Sequence, residues 1–296
     1  CQSTHPMAEE QAEEVAAEEE SIVLSQSIVT GGLKGLAKTV DGAGFALTQL
    51  EINGQKIGDI AALSNYKHLR YLNLSDNLIS DLKPLDGLDY LLSINLSKNK
   101  IVDVELPALQ FLQVLDLSYN QMNKIQEMAL PMLRILNLSN NQIESVAGLS
   151  GNPVLKTLYI ENNKLATCEG LGVESLEQMT LTSNCITSLK GLEKLAQVAE
   201  LDLTGNVVED LTGLPAEGSL TKLVLTQNQV ASVEALEPLS AIAIKDLELG
   251  ENPVMEGLDR VRVVRRIQSL ETLNAAPVTE EERAASKEEE AATPGE

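Results

Sequence analysis

From Leu69 the chain runs L-R-Y-L-N-L-S-D-N-L-I, and the pattern L-x-x-L-x-L-x-x-N-x-I returns at nearly constant spacing. Aligned on its polar key position, it gives Gln55, Asn77, Asn99, Asn120, Asn141, Asn163, Asn184, Asn206, Asn228 and Asn252, separated by 22, 22, 21, 21, 22, 21, 22, 22 and 24 residues. Within each unit the L-x-L segment alternates, so Leu72 and Leu74, or Leu136 and Leu138, face one side of a short strand and their neighbours the other. The asparagine follows where the chain must turn away from the sheet, and a buried amide there needs several hydrogen-bond partners, which the turn backbone of its own and the adjacent unit can supply.

A fixed period of this length predicts a leucine-rich-repeat solenoid. The fold class is α/β, a right-handed solenoid of about ten repeats of 21–24 residues, with short parallel strands on the concave face and a cap at each end. The division expected is an acidic disordered head over residues 1–20, an N-terminal cap over 21–46, repeats over 47–254, a C-terminal cap helix over 255–273 and an acidic tail over 274–296. In the first cap a short helix is expected from Leu33 to Thr39, and Leu47 opens the first repeat. Four residues past the key position stand Asp59, Asp81, Asp103, Lys124, Ser145, Thr167, Ser188, Asp210, Ser232 and Glu256. Asp, Ser and Thr in that column cap the turn that begins each convex segment, since they recur singly and one coil apart.

Ten strands at about 4.8 Å give a concave sheet on the order of 45 Å long, suited to a protein or a long helix rather than a metabolite. The residues beside the inward leucines line it. Tyr71, Val114, Ile135 and Tyr159 supply apolar surface, and Asp116, Glu161, Glu200, Asp202, Asp246 and Glu248 supply acids, with Lys222 the one base of the lining. The expected guest is a segment apolar at its centre and basic toward one end; the competing expectation is a solvated sheet with contacts elsewhere. In the C-terminal cap, Leu258, Val261, Val264 and Ile267 form one face of a helix whose flank carries Arg260, Arg262, Arg265 and Arg266. That cluster reads either as a solvated face neutralised by nearby acids or as a docking patch for an acidic partner.

Composition sharpens this in a few respects. Net charge is −22, and the tails hold −12 of it: seven acids without Lys or Arg in residues 1–20, seven acids against Arg283 and Lys287 in 274–296. An acidic chain with 2% aromatics is a poor nucleic-acid ligand, because phosphate neutralisation needs bases. Cys1, Cys168 and Cys185 form no C-x-x-C pair, and an odd, sparse count points to a reducing compartment. Cys168 stands in a column of Ile, Leu and Val, as an inert core thiol. No 18-residue apolar run or signal pattern is present, so no membrane contact is expected. The chain opens on Cys1, with Met7 a candidate initiator. Two histidines, His5 and His68, and no phosphate loop, metal-ligand spacing or nucleophile–base pair leave no ground for catalysis; neither a cofactor nor a small-molecule substrate is expected.

The repeat form, with I-x-D-L-x-x-L-x-x-L after the asparagine, resembles the subfamily that includes the phosphatase-1 regulator of the Sds22 type, the spliceosomal U2 A-prime protein and dynein light chain 1. The GLA segment ahead of the first repeat, NYKHLRYLNLSDN and PLDGLDYLL, between Leu33 and Leu96, are similar to the leucine-rich repeat-containing protein 23 family, as are ENPV, the arginine-rich helix and SLETLNAAPVTEEER. That resemblance implies a structural component of the ciliary or flagellar axoneme, in the cytoplasm, placed in radial spokes near the head of the third spoke with other spoke subunits as partners. A regulatory subunit of protein phosphatase 1 and a nuclear assembly factor are the alternatives.

Overall fold

The structure is a computed structural model that describes residues 20–292, with side chains to residue 287. Most of the expected acidic head, and the last four residues of the tail, lie outside the described residues.

In chain order, β1 (Ile22–Val23) leads to α1 (Gln26–Gly32), β2 (Leu33–Lys38), β3 (Phe45–Glu51) and β4 (Ile57–Asp59). Three-residue strands follow, one per repeat: β5 (Tyr71–Asn73), β6 (Ser93–Asn95), β7 (Val114–Asp116), β8 (Ile135–Asn137), β9 (Thr157–Tyr159), β10 (Gln178–Thr180), β11 (Glu200–Asp202), β12 (Lys222–Val224) and β13 (Asp246–Glu248). The chain closes with α2 (Arg260–Arg266), β14 (Thr272–Leu273), β15 (Ala276–Pro277) and α3 (Glu280–Ala292). Thirteen strands form one sheet in the order β15-β14-β13-β12-β11-β10-β9-β8-β7-β6-β5-β3-β2; β1 and β4 pair separately. From β3 to β14 the pairing is parallel, and the outermost strand at each end is antiparallel.

The core is the inward column of each repeat, Leu72, Ile94, Leu115, Leu136, Leu158, Met179, Leu201, Leu223 and Leu247, stacked against leucines of the corners and convex segments. No repeat encloses its own apolar face, so each coil's core is completed by its neighbours.

The nine asparagines from Asn77 to Asn252 are all buried and form the expected ladder. Asn99 shows the wiring. Its Oδ1 accepts from the Ile79 N–H of the preceding coil, and its Nδ2 donates to the carbonyls of Leu74, Leu96 and Ser97 at 3.0, 3.0 and 3.2 Å. One amide thus satisfies a donor and acceptors on two coils, which would otherwise be buried without partners. The residue before each rung turns left-handed, with φ between 53° and 59° from Asp76 to Glu251, except where Gly205 takes the place at 70°. Tolerance of that conformation by residues such as Tyr119 reflects the bonds the rung returns.

The convex column behaves as Asx and ST turns rather than as helix caps. Asp59, Asp81 and Asp210 accept from the N–H two residues on at 2.8, 3.0 and 2.9 Å, and Ser145, Thr167 and Ser188 do so through hydroxyls at 3.2–3.4 Å. The 3-10 segments that follow, such as Ala61–Asn65 and Lys83–Leu85, have no side-chain cap. Asp103 departs from the column: it binds Lys124 and Gln126 of the next coil.

The N-terminal cap corrects the sequence reading. Leu33–Lys38 is a strand, and the helix lies before it, begun by Ser25, whose Oγ accepts from the Ile28 N–H. A parallel sheet ends in a row of unpaired backbone groups, and β2 covers that row by folding back antiparallel on β3. Asp41 and Gly42, the latter at φ 71°, form the hairpin turn. A demand made by the sheet edge overrode the helical spacing of the leucines.

That hairpin also changes the first repeat. The column Leu69, Leu91, Leu112, Leu133, Leu155, Leu176, Val198, Leu220 and Ile244 is buried, because the chain bends between it and the strand. β3 is seven residues long and continues straight through the bend, so Thr48 points inward and Leu47 outward.

At the other end Asp259 caps α2 through the Val261 and Arg262 N–H groups, and α2 buries Val263 and Val264 beside Ile267, Leu270 and Leu273. The start of the acidic tail is helical. Thr279 and Glu282 bond each other's backbone N–H at the head of α3, a capping box.

Candidate protein-binding surface

Register places the first strand positions side by side: Gln49, Tyr71, Ser93, Val114, Ile135, Thr157, Gln178, Glu200, Lys222 and Asp246. The third positions make the parallel row Glu51, Asn73, Asn95, Asp116, Asn137, Tyr159, Thr180, Asp202, Val224 and Glu248. Val114 and Ile135 are direct neighbours, and Tyr159 sits diagonally from Ile135, so the three expected apolar residues form one patch. Ile135 is the exposed member.

Within the acidic stretch several carboxylates already have partners. Asp202 Oδ1 accepts from the N–H and hydroxyl of Thr204 at 2.9 and 2.6 Å, as Asp116 does from Ser118. Asp246 accepts from the Thr272 hydroxyl, and Lys222 lies 3.7 Å from Glu200. Each of these contacts engages one face of its carboxylate and holds it in place on the sheet.

The arginines of α2 are brought together and largely used within the cap. Arg260 pairs with Glu282 at 2.6 Å and donates to the carbonyls of Leu273 and Pro277; Arg262 pairs with Glu234 at 2.6 Å and Arg266 with Glu237. A groove of about 820 Å³ beside this helix is lined by Glu237, Ser240, Arg265, Arg266 and Ser269. Its acid and one of its bases are paired with each other, an arrangement that suits structure more than chemistry.

Cys168 is buried, and burial, with a smaller contribution from the charge of Glu193, pushes its thiol up to about 12, which removes thiolate reactivity. Among the described residues no three His, Cys, Asp or Glu side chains are grouped to hold a metal ion, and no helix is long and apolar enough to cross a membrane.

Three features escaped the sequence reading. The third-position turn, in which Asn73, Asn95, Asp116, Asn137 and Asp202 accept from the N–H two residues on, was legible as a repeated [N/D]-L-[S/T] at 73, 95, 116, 137 and 202. Asn152, wholly buried on the convex side, bonds the Leu130 N–H and the Leu149 carbonyl, a rung that occurs once among the described residues. The third is the apolar face of the N-terminal hairpin. Leu36 pairs with Leu47 and Lys38 with Phe45, so these residues share the concave face with Gln49 and Tyr71.

The family signature described as Leucine Rich repeats (2 copies) matches residues 131–172, and that described as Leucine Rich repeat matches 67–82 and 108–124. Among solved structures, an internalin (InlF) of Listeria monocytogenes aligns with a TM-score of 0.52 at 24% identity, covering 81% of this chain and 84% of that one. The functional domain of InlJ from Listeria monocytogenes aligns at 0.60 and 22% identity, over 77% of this chain and 48% of that one. A chain of the octameric complex of Latrophilin 3, Unc5D and FLRT2 aligns at 0.60 and 21% identity, over 77% and 74%. These likenesses share the solenoid fold. Together with the repeat signatures and the ladder, they define the class: a leucine-rich-repeat protein. Leucine-rich repeat-containing protein 23 of Bos taurus is 33% identical over 273 residues, 90% of this chain and 80% of the bovine protein; that of Xenopus tropicalis is 39% identical over 54 residues, 18% and 15%. The chain belongs to the leucine-rich repeat-containing protein 23 family.

Proposed function

We propose that this protein is a non-catalytic scaffold of the ciliary or flagellar axoneme, a structural component of the radial spoke near the head of the third spoke. Its concave face holds a segment of another spoke subunit, with the acids of β11 to β13 receiving the basic end of that segment and Val114, Ile135 and Tyr159 its apolar part. The observation that carries the reading is family membership across 90% of the chain, joined to a concave lining with acids at Glu161, Glu200, Asp202, Asp246 and Glu248 and a base only at Lys222 in its C-terminal half. Charge of one sign along a face steers and selects a partner of the other sign. The arginines of α2, largely engaged with acids of the cap, are a secondary candidate for docking.

The test is capture from solubilised axonemes and, separately, from cytosol, with the full chain as bait beside the variant Glu200→Lys, Asp202→Lys, Asp246→Lys and Glu248→Lys. Spoke subunits should be retained by the parent chain and lost by the variant, with the fold intact and a modest loss of thermal stability from the Asp202–Thr204 and Asp246–Thr272 bonds. Undiminished capture by the variant would overturn the concave site. Recovery of a phosphatase catalytic subunit from cytosol, without spoke subunits, would replace the axonemal reading with that of a phosphatase-1 regulator.

A further inference from the structure

The concave face has a second end whose chemistry differs from the acidic one. On the hairpin Leu36, Phe45 and Leu47 are 69%, 67% and 42% exposed, and Tyr71 on the next strand is 45% exposed. Lys34 and Lys38 flank Leu36 on the same face. Lys34 is bonded to Glu51 at 2.5 Å, and Arg70 donates to the Lys38 carbonyl, so the patch is held in shape by its polar rim. Four large apolar side chains exposed together are an interaction mark, where single ones are not. Charge on this end sums to +2 from Lys34, Lys38, Arg70 and Glu51, whereas Glu200, Asp202, Asp246 and Glu248 against Lys222 sum to −3 at the other end. From β2 to β11 the sheet advances eight strand spacings, roughly 38 Å.

The edge of β2 itself is a poor site for a further strand. Gly35 turns left-handed at φ 67° in the middle of it, and its two lysines are the kind of residue that keeps an edge from pairing. Two copies joined antiparallel about Leu36 would also set Lys34 of one opposite Lys38 of the other, a like-charge pair. The exposed apolar surface is therefore on the face, not the edge.

We infer that the hairpin is the anchor of the concave site and gives it a direction. This deepens the scaffold reading and rests on it. The occupant is an amphipathic α-helix of a partner protein, about 25–30 residues long. Large apolar side chains with Asp or Glu beside them seat on Leu36, Phe45, Leu47 and Tyr71; its middle passes Val114 and Ile135; its Lys or Arg end lies over β11 to β13. Most strands of the face are three residues wide, roughly 10 Å, which matches the diameter of a helix and leaves no room for a wider element. An acidic flank at one end and a basic flank at the other are complementary to the face in one orientation only, so reversal places like charges together at both ends.

The test uses the full chain and a synthetic 28-residue helix with Leu along one face, Glu flanking it in the first half and Lys in the second. A peptide of equal composition with Glu and Lys mixed throughout is the comparison. The block peptide should bind at least tenfold more tightly. A nitroxide on its Glu end should broaden the methyl signals of Leu36 and Leu47, and a nitroxide on its Lys end should leave them sharp. Leu36→Ser with Phe45→Ser should weaken it tenfold or more, and so should Lys38→Glu, a surface change that leaves the fold intact. Block-peptide binding that is lost on reversing the β11–β13 acids yet indifferent to every hairpin substitution would overturn the anchor and leave the scaffold reading standing. Equal affinity for the two peptides, or broadening of Leu36 by the Lys end, would overturn the direction. Binding indifferent to both sets of substitutions would overturn both readings. A concentration-dependent dimer abolished by Leu36→Ser, or block-peptide binding seen only after removal of residues 1–19, would assign the patch to a second copy or to the chain's own acidic head, and either would overturn the proposal.

Discussion

At the C-terminal end of the sheet β15 folds back on β14, and α2 and α3 close over the last coil; at the N-terminal end β2 folds back on β3, and a single short helix, α1, packs behind it. Both antiparallel strands solve the same problem, the row of backbone groups left by a parallel ladder. The C-terminal end hides its apolar surface, with Val263, Val264, Ile267, Leu270 and Leu273 buried, whereas the N-terminal end buries Leu24 and Val29 behind the sheet and leaves Leu36, Phe45 and Leu47 facing outward at the hairpin. One end is built to stop, and the other stops the sheet while presenting a surface. Equal chemistry at the two ends therefore has unequal consequences for stability.

The sharpest way to break that contrast is to remove one apolar side chain from each end. Ile267→Ala opens a cavity against the last coils and should cost about 2–5 kcal/mol, whereas Leu36→Ala should fall within about 0.5 kcal/mol. Urea unfolding gives both values. Because each coil rests on the next, hydrogen exchange in the Ile267→Ala variant should quicken first at β12 and β13 and reach β7 last. A loss at Leu36 equal to that at Ile267 would mean that the hairpin leucines belong to the core.

The ladder has unequal ends as well. Beyond Asn252 it gains a rung at Asn274, whose Oδ1 accepts from the Leu249 N–H at 2.7 Å. At the first position Gln55 is exposed, and its contribution is a backbone N–H donated to Asn77. Asn274→Ala should thus cost about 1–2 kcal/mol by leaving a partly buried donor without a partner, and Gln55→Ala should be close to neutral, since the backbone bond survives. Differential scanning calorimetry of the two variants separates them.

What could be read from the chain alone follows the same division. The inward leucines and the ladder repeat at every coil with one physical role, so each copy supported the others, and the structure places all nine asparagines as the pattern required. The hairpin occurs once. Nothing local in LKGLAKT distinguishes a helix from a strand that covers a sheet edge, and Leu47 matched the repeat consensus although its strand runs straight where the others bend. The concave lining was legible by alternation wherever the repeat was regular, and its N-terminal end was not, because that end is built from the residues taken for a helix. The pairing of the α2 arginines was out of reach for another reason: Glu234 and Arg262 are 28 residues apart and meet only through the stacking of adjacent coils.

The smallest expected effect concerns the pH response of the sealed end. Hydrogen bonding from the Arg260 guanidinium, with help from the Thr279 N–H, holds the Glu282 carboxyl below its ordinary 4.5. A carboxyl whose folded value is lowered contributes stability that is complete above its unfolded value and is lost as pH falls through the folded one. Acidification below about pH 4.5 should therefore loosen α3 from α2 while Arg260 stays charged, and Glu282→Gln should remove that response at a cost near 1 kcal/mol at neutral pH. The hairpin offers the matching control. Asp41 is also held below its ordinary 3.8, mainly by the Thr39 hydroxyl, but it is fully exposed and closes only a turn. Carboxyl carbon shifts followed by NMR from pH 6 to pH 2 should show both groups titrating low, with signals across α2 and α3 moving along with Glu282 and only the turn moving with Asp41. Movement throughout the hairpin with Asp41 would show that the open end depends on its turn as much as the sealed end depends on its ion pair.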